Sequence, residues 1–202
     1  MIVHDDSSII HPAYILSNLL KEGQYKKFAE IGIWRTKNIK YILSDVYGLI
    51  QSDLIEEYWA VDPWKVMIGA YNGARENHTK EYWDRCREAT ASQEKWNHHH
   101  KWCCKLMFTY SQLRVLRMAS KEAAEIFPNS YLDMVYIDAI HTFEHVYADI
   151  GYWLPKIRKG GIIGGHDYSS KSKWIEVKYA VHERFGDNIE VWENNNVWIK
   201  RL

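Results

Sequence analysis

Residues 135–149 read VYIDAIHTFEHVYAD, and their pattern changes at the centre. The first three residues are β-branched or aromatic, which is typical of a buried strand. The apolar run stops at Asp138, His141 follows three residues later, and Thr142 then opens a helical pattern as a candidate N-cap. Because a carboxylate at the end of a core strand is costly unless a partner binds it, the stretch predicts a strand–turn–helix unit with a binding site at the turn.

The same alternation of strand-like and helical patterns continues on both sides of this unit. The strand-like runs are KKFAEIGI (26–33), EEYWAVDPW (56–64), LRVLRMAS (113–120), LDMVYIDA (132–139), GIIGGHDY (161–168) and the terminal IEVWENNNVWIKRL (189–202), which turns on a run of Asn. Strands that alternate with helices favour a parallel sheet covered on both faces. We therefore expect an α/β fold with a doubly wound, mostly parallel seven-stranded sheet and an antiparallel C-terminal hairpin at its edge.

The chain of 202 residues fits a single domain, residues 1–202, because this length is sufficient for one core. Between residues 65 and 102 the hydrophobic periodicity fades into a charged and aromatic stretch that includes three consecutive histidines. Such a stretch is typical of a functional loop or cover rather than of a core element. The sequence predicts a helical or irregular insertion, or lid, at about 65–102.

Composition argues against several classes of partner. Lys plus Arg and Asp plus Glu each total 26, so no excess of charge favours nucleic acid or an anionic membrane. No apolar run approaches the length of a bilayer span, and the N-terminus lacks the pattern of a signal peptide. Cys86, Cys103 and Cys104 are too few for a disulfide framework. We expect a soluble, cytoplasmic protein that acts on a small molecule.

The chain is rich in aromatic residues with a polar tip, namely ten Trp and fourteen Tyr. Such side chains suit the walls of ligand sites, protein cores and subunit interfaces alike. Composition alone does not show which of these three uses applies. Because subunit interfaces are one of them, the sequence is compatible with a homo-oligomer.

Polar residues lie where the predicted strands end. In order along the chain they are Glu30, which is followed by Gly32, then Asp62, Ser120, Asp138, and His166 with Asp167. In an open parallel sheet the ligand lies outside the carboxyl ends of the strands, at the point where the strand order reverses. We therefore expect these residues to line one crevice.

The turn after the first strand, AEIGIWRTKN (29–38), is a candidate cofactor loop. Gly32 lets the backbone approach a ligand closely, and the next helix offers unpaired N–H groups at its start. The turn has a single glycine, and it does not match the dinucleotide-binding motif G-x-G-x-x-G. Binding of a dinucleotide through its pyrophosphate is therefore disfavoured. Asp62 is placed to hydrogen-bond a ribose diol. The alternatives are a glycine that only permits a tight turn and an acid exposed in the loop before Pro63.

A cation site is also expected at the strand ends. If the fourth and fifth strands are neighbours, Asp138 and Asp167 lie about 5 Å apart and converge on one cation. His166 would shift the preference from Mg²⁺ toward Mn²⁺ or Fe²⁺, and His141 titrates in the range that suits a base. The alternative is that His141 is a hydrogen-bonding residue at a helix start and Asp138 is a capping acid.

Five motifs, taken in order, resemble one family of enzymes. They are EIGIW, VDPW, MASKEAAEIF, DMVYIDAIHTFEHVYADI and KGGIIGGHDY. The combination is similar to class I S-adenosylmethionine (SAM)-dependent methyltransferases, in particular to the group of macrolide-sugar O-methyltransferases and cephalosporin-hydroxylase-like proteins. The resemblance covers most of residues 26–200, except the insertion at 65–102. It implies a Rossmann-like methyltransferase fold.

The resemblance implies a role for each matching residue. The first-strand loop, with Glu30, Gly32, Ile33 and Trp34, would hold the methionine part of SAM, and Asp138 would face the sulfonium end. Asp62 would bind the ribose hydroxyls, and Ala119 and Ser120 would lie beside adenine. Asp138, His166 and Asp167 would bind a divalent ion such as Mg or Mn. His141 would accept the proton of the acceptor hydroxyl.

The sequence departs from the family pattern at two places. Thr36 stands where the first-strand loop usually has a second glycine, so either the turn is wider or the threonine caps the next helix. His166 with Asp167 stands where metal-dependent members have a Glu–Asp pair. The first departure bears on cofactor affinity and the second on metal preference.

The leading hypothesis is a SAM-dependent, divalent-metal-assisted O-methyltransferase that acts on a small hydroxylated acceptor such as a sugar, a phenol or a natural product. His141 and Asp138 would be its catalytic residues. Aromatic residues would contact the acceptor, namely Trp64, Tyr82, Trp83 and Trp102, with Tyr168 helping to position it. The alternatives are a non-catalytic nucleoside-binding or protein-interaction module on the same fold and, less favoured, a nicotinamide-dependent oxidoreductase.

The histidine run leaves one further alternative. On a helix, His99 with Cys103 and His100 with Cys104 would share a face at i and i+4, a spacing that can bind zinc. The insertion has no clear C-x-x-C pair, so a solvated polar segment is favoured over a structural metal site.

Overall fold

The computed structural model describes residues 1–4, 11–49, 54–66, 92–169 and 175–202. Its strands are β1 (Ile2–Val3), β2 (Lys27–Ile31), β3 (Glu57–Val61), β4 (Leu113–Leu116), β5 (Leu132–Ile137), β6 (Ile157–Gly165), β7 (Glu190–Trp192) and β8 (Val197–Arg201). Its α-helices are α1 (Pro12–Gly23), α2 (Lys37–Leu43), α3 (Gln93–Leu106), α4 (Ser120–Ile126), α5 (Phe143–Trp153) and α6 (Ile175–Phe185). None of these helices is both long enough and apolar enough to cross a membrane.

The described strands form one eight-stranded sheet in the order β1-β7-β8-β6-β5-β2-β3-β4. The neighbours from β6 to β4 in this order pair in parallel, whereas β8 is antiparallel to both β6 and β7. The α/β class, the mostly parallel sheet and the antiparallel C-terminal pair are thus confirmed. The sheet has one strand more than the predicted seven. This strand is β1, which pairs in parallel with β7 and is too short to show a periodicity.

Helices cover both faces of the sheet, as a doubly wound fold requires. On one face α1, α2 and α3 bury side chains such as Leu16, Ile39 and Trp96. On the other face α4, α5 and α6 bury side chains such as Ala123 and Ile150. Since both faces are covered, all six residues of β5 are buried, and the strand has a nearly continuous apolar sequence instead of an alternating one.

The predicted insertion ends within α3. Residues 67–91, which include Tyr82, Trp83 and Cys86, lie outside the described residues. The side chain of Ser92 accepts a hydrogen bond from the backbone N–H of Lys95 and so caps α3. This helix buries Trp96 and Cys103 against the sheet. The last turns of the predicted segment therefore belong to the helical layer, and the insertion as a whole stays a prediction.

Candidate functional site

The candidate site lies between β2 and β5, where the strand order reverses. From this pair the sheet continues through β3 and β4 on one side and through β6 and β8 on the other. Backbone hydrogen bonds extend the pairing to the candidate residues, since the N–H of Asp138 donates to the carbonyl of Ile31 at 2.8 Å and that of His166 to the carbonyl of Ile137 at 3.0 Å. The residues that follow β2, β5 and β6 therefore share one edge of the sheet, as expected.

Gly32 lets the loop after β2 pack closely against the loop after β5. Its φ of +93° is rarely adopted by other residues, and a Cβ at this position would lie 2.2 Å from the carbonyl oxygen of Asp138. Its N–H donates to the carbonyl of Val61 at 2.8 Å. The close neighbour of this glycine is thus the adjoining loop, so Gly32 sets the shape of the crevice.

Asp62 organises the first-strand loop. One oxygen of its carboxylate accepts hydrogen bonds from the backbone N–H groups of Ile33 and Trp34, both at 3.0 Å, and the other accepts from that of Trp64 at 2.6 Å. Burial raises the pKa of Asp62, while these three N–H donors and Arg117 oppose the rise. The carboxylate is therefore not an acid exposed in a loop; it fixes the backbone that was expected to hold a cofactor.

The loop also contains Trp34 and Thr36 in the left-handed conformation, with φ of 45° and 61°. Thr36 is the N-cap residue of α2, but its side chain makes no capping hydrogen bond. The threonine hydroxyl is buried and has no hydrogen-bond partner within the described residues. The chain thus keeps the backbone conformation that a glycine would favour, and it leaves a buried hydroxyl that a ligand can satisfy.

Glu30 is buried at 3% exposure beside the crevice. Its carboxylate accepts hydrogen bonds from the hydroxyl of Tyr58 and from Nδ2 of Asn38, the latter at 2.7 Å. Burial raises the pKa of Glu30 to about 7, although these two hydrogen bonds oppose the shift. Asn38 was not predicted from the sequence; its signal is a polar amide in the first turn of the helix that follows the loop.

Asp138, His141 and Asp167 form the centre of the site, with ligand atoms that all lie within 4.8 Å of one another. Nε2 of His141 is 3.1 Å from Oδ2 of Asp167 and 3.4 Å from Oδ1 of Asp138. Burial lowers the pKa of His141, but the two carboxylates outweigh burial and raise it above its ordinary value. Two carboxylates so close together favour a cation between them, so Asp138 and Asp167 fit a divalent ion with a histidine as a further donor.

His166 lies beside the same carboxylates. Its Nδ1 is 3.4 Å from Oδ2 of Asp167 and 3.8 Å from Oδ1 of Asp138. Burial lowers the pKa of His166, but Asp138, Asp167 and a hydrogen bond to the backbone of Asn195 raise it to about 9. The structure therefore brings together the predicted set of Asp138, His166 and Asp167, with His141 in the same cluster.

His11 was not predicted from the sequence, and it lies within reach of the charge of His166. It is the N-cap residue of α1, and its Nδ1 accepts a hydrogen bond from the backbone N–H of Ala13 at 3.2 Å. Burial, together with the charges of Lys37 and His166, lowers the pKa of His11 to about 4. A histidine directly before a proline at a helix start was the available signal.

Ala119 and Ser120, both expected beside adenine, are placed differently. Ala119 lines a cleft of about 480 Å³ at the carboxyl ends of β3 and β4, together with Arg117. The hydroxyl of Ser120 instead accepts a hydrogen bond from Nε1 of Trp153 at 2.9 Å and bonds to Asp149. The side chain of Ser120 therefore joins α4 to α5, which leaves Ala119 as the member of the pair that faces the cleft.

The structure corrects two of the expected acceptor contacts. Trp64 is fully buried in the core at 0% exposure. Tyr168 is 3% exposed, and its hydroxyl hydrogen-bonds Nε2 of His182 at 2.6 Å. Neither ring can contact an acceptor, because both are enclosed by other elements of the fold. Trp102 keeps 44% of its surface exposed.

The histidine run lies on α3, as the zinc alternative requires. Nε2 of His100 is 3.3 Å from Sγ of Cys104, but Cys103 is fully buried in the core. In the part of the chain that the structure describes, the one group of three or more residues placed to hold an ion is the crevice cluster. His100 and Cys104 thus share a helix face, as the spacing predicts, and a structural metal site there stays an alternative.

Comparison with known protein families gives one match. A family model described as a methyltransferase domain matches residues 30–168. The matched segment begins at Glu30, near the end of β2, and ends at Tyr168, directly after Asp167, so it contains every residue of the central cluster. No curated protein matches the chain.

Solved structures share the fold at low sequence identity. The O-methyltransferase NovP is 16% identical, with a TM-score of 0.60 over 94% of this chain and 77% of its own. The O-methyltransferase TomG from Streptomyces achromogenes, solved in complex with SAM, is 10% identical, with a TM-score of 0.53 over 98% of this chain and 82% of its own. The O-methyltransferase from Bacillus cereus, solved with S-adenosylhomocysteine (SAH), is 15% identical, with a TM-score of 0.50 over 97% and 81%.

Proposed function

Because the chain belongs to the methyltransferase domain family, we propose that it transfers the methyl group of SAM to a hydroxyl group of a small acceptor, with the help of a divalent ion. The observation that carries this proposal is the convergence of Asp138, His141 and Asp167 at the point where the strand order reverses. Family membership favours an enzyme over a non-catalytic module.

The residues of the first-strand loop fit SAM. SAM supplies a methyl group that is already activated on a positively charged sulfur, so the chain has to align the acceptor and remove its proton. Gly32 shapes the loop, the hydroxyl of Thr36 is buried without a partner among the described residues, and Ala119 lines the neighbouring cleft. The carboxylate of Asp138 at the same edge favours a cationic group.

We assign Asp138, His166 and Asp167 as the residues that hold the ion. The two carboxylates offer the oxygen ligands that Mg²⁺ and Mn²⁺ prefer. The imidazole of His166 faces both carboxylates with Nδ1 and makes a second hydrogen bond to the backbone, which is the arrangement that orients a ligating histidine. A divalent ion bound there would lower the pKa of an acceptor hydroxyl.

His141 is the proposed proton acceptor. Its Nε2 lies 3.4 Å from Oδ1 of Asp138 and 3.1 Å from Oδ2 of Asp167, so these carboxylates would hold the ring beside the ion. Helix α5 begins at Phe143, directly after the N-cap residue Thr142, so its first turn fixes where His141 lies relative to the strand end. The acceptor hydroxyl would thus face a base and the ion from the same side.

Replacement of single histidines tests these roles. Isothermal titration measures the binding of SAH and Mn²⁺, and turnover of SAM is measured against a panel of sugars and phenols. We expect His141→Ala to lower turnover by about 100-fold or more and to leave both affinities nearly unchanged. We expect His166→Ala to weaken Mn²⁺ binding by about tenfold or more. His4→Ala, which removes a histidine paired with Glu190 at the β1 edge of the sheet, is the matched control and should change neither.

Two results would count against the proposal. If the native protein released no heat with SAH, methyl transfer from SAM would be ruled out. If His141→Ala lost as much Mn²⁺ affinity as His166→Ala, His141 would be a metal ligand and not the base.

A further inference from the structure

Helix α6 contacts both of the loops that follow β5 and β6. It packs against α5, and its buried residues Val177, Ala180 and Val181 belong to the same core cluster as the buried residues of α5. Toward its last turn, the guanidinium of Arg184 donates to the carbonyl of Tyr147 from Nε at 3.1 Å and from Nη2 at 2.8 Å. The two helices are therefore held together by apolar packing and by hydrogen bonds.

Glu176 caps helix α5 from outside that helix. Thr142 is the N-cap residue of α5 but makes no capping hydrogen bond, and its hydroxyl lies 2.7 Å from Nδ1 of His145. The backbone N–H of Phe143, the first residue of the helix, donates instead to Oε2 of Glu176 at 2.9 Å. Glu176 also lies in the first turn of α6, so its carboxylate is close to the starts of two helices, where negative charge is favourable. A residue of α6 thus fixes the turn that begins directly after His141 and Thr142.

His182 of the same helix holds the residue that follows Asp167. The hydroxyl of Tyr168 lies 2.6 Å from Nε2 of His182, and the backbone N–H of Tyr168 donates to the carbonyl of Asn196 at 3.0 Å. Asp167 itself has φ of 58°. Because such a conformation costs energy and persists only where surrounding contacts maintain it, the contacts of Tyr168 bear on the position of the Asp167 carboxylate.

We propose that helix α6 sets the 3.1 Å separation between Nε2 of His141 and Oδ2 of Asp167, an inference that rests on the methyl transfer proposed above. Both residues lie beyond the ends of β5 and β6, so strand pairing alone does not set this separation. Glu176 is the positioning residue for His141, through the start of α5. His182 is the positioning residue for Asp167, through Tyr168. Alignment matters here because a misplacement of about 1 Å can cost about 100-fold in rate.

Replacement of Glu176 tests the first contact. Glu176→Ala leaves the N–H of Phe143 without this acceptor, whereas Glu176→Gln keeps an oxygen that can accept. In crystals with SAH and Mn²⁺ we expect His141 to lie about 1 Å or more farther from Asp167 in the alanine variant, and in its native place in the glutamine variant. Turnover of acceptors from the panel of sugars and phenols should fall about tenfold in the alanine variant only, with unchanged affinities for SAH and Mn²⁺. Glu183→Ala, which removes an exposed glutamate of the same helix, is the matched control and should change none of these.

Replacement of Tyr168 tests the second contact. Tyr168→Phe removes only the hydroxyl and should weaken Mn²⁺ binding about fivefold, because Asp167 is then held less firmly. His182→Leu should have the same effect, and the double variant should lose no more than either single variant, since both act through one hydrogen bond.

Tyr25→Phe is the matched control for Tyr168→Phe. Tyr25 is also buried, and its hydroxyl donates to the carbonyl of Gly160 at 2.9 Å, on the side of the sheet where β2 begins. We expect the two variants to lower the midpoint of urea denaturation alike, because each loses one hydrogen bond of a buried tyrosine. Only Tyr168→Phe should weaken Mn²⁺ binding.

The outcomes separate this inference from the proposed function. If SAH and Mn²⁺ bind but His141 and Asp167 keep their separation in Glu176→Ala, the role of Glu176 is overturned and methyl transfer is not. If Tyr168→Phe binds Mn²⁺ as tightly as the native protein, or if Tyr25→Phe loses as much affinity, the role of His182 is wrong. Absence of SAH binding overturns the proposed function itself, and with it the premise of this inference.

Discussion

Gly32 shows how closely the loops around the crevice are packed. Its backbone adopts φ of +93°, and the space that a side chain would need is filled by the backbone of Asp138. Trp34, Thr36 and Asp167 also have positive φ values, of 45°, 61° and 58°. Such conformations cost energy in residues other than glycine and cluster at functional sites. The crevice is therefore held in a conformation that surrounding contacts must maintain.

Replacing Gly32 by alanine is expected to lower the free energy of unfolding by about 2–4 kcal/mol, because both the backbone conformation and the space disfavour a Cβ. Urea denaturation measures the loss. Gly48→Ala is the matched control, since Gly48 has φ of +64° but no atom of the described residues within 4 Å of the added Cβ. The control should lose about 1–2 kcal/mol, the cost of the conformation alone. Equal losses in the two variants would show that the loops are not closely packed.

Individual residues were predictable where the position along a strand decides their role. Gly32, Asp138 and Asp167 follow strand ends, so the sequence places them at the carboxyl edge before any side chain is seen. Side-chain direction was not predictable in the same way. Trp64 and Tyr168 also follow strand ends, yet Trp64 points into the core and Tyr168 meets His182 of α6. These directions depend on elements far away in the sequence.

Glu30 connects three elements at the edge of the crevice. It lies on β2 and hydrogen-bonds Tyr58 of β3 and Asn38 of α2. Because burial raises the pKa of Glu30 from 4.5 to about 7, the folded protein retains a proton at pH values where the unfolded chain has lost it. The protonated, uncharged carboxyl group is therefore the form that suits the buried position.

This shift predicts a pH dependence of stability. Between about pH 4.5 and 7 the folded state binds more protons at Glu30 than the unfolded state, so the contribution of this residue to stability falls as pH rises, by about 1.4 kcal/mol per pH unit at most. Glu30→Gln cannot titrate. Urea denaturation at pH 5, 6 and 7 should show the variant gaining stability relative to the native protein with each step.

In that comparison the other titrating groups cancel, because they are the same in both proteins. A difference between Glu30→Gln and the native protein that stays constant from pH 5 to 7 would contradict the raised pKa of Glu30.

Helices and strands were predictable where their periodicity is complete. The strand β5 and the helix α5 follow from the apolar run and from the stripe of Val146 and Ile150. Helix α3 was not recognised as part of the core, because its described buried residues are only Trp96 and Cys103. Two buried residues in fourteen give too weak a stripe to distinguish a surface-covering helix from an insertion.

The strand order accounts for the location of the site as a whole. Sequence alternation predicts a parallel sheet, but it does not say which strands are neighbours. Pairing of β2 with β5 and of β5 with β6 brings residues separated by more than a hundred positions, from Glu30 to Asp167, to one crevice. The family match over residues 30–168 contains β5, β6 and the carboxyl end of β2. The proposed chemistry therefore depends on the topology as much as on the individual side chains.

A crystal structure of the protein with SAH and Mn²⁺, with an anomalous difference map recorded at the manganese edge, tests this account most directly. We expect SAH along the loop from Gly32 to Thr36 and one manganese peak within ligand distance of Asp138 and Asp167. A manganese peak elsewhere, or SAH bound away from the loop between Gly32 and Thr36, would contradict it.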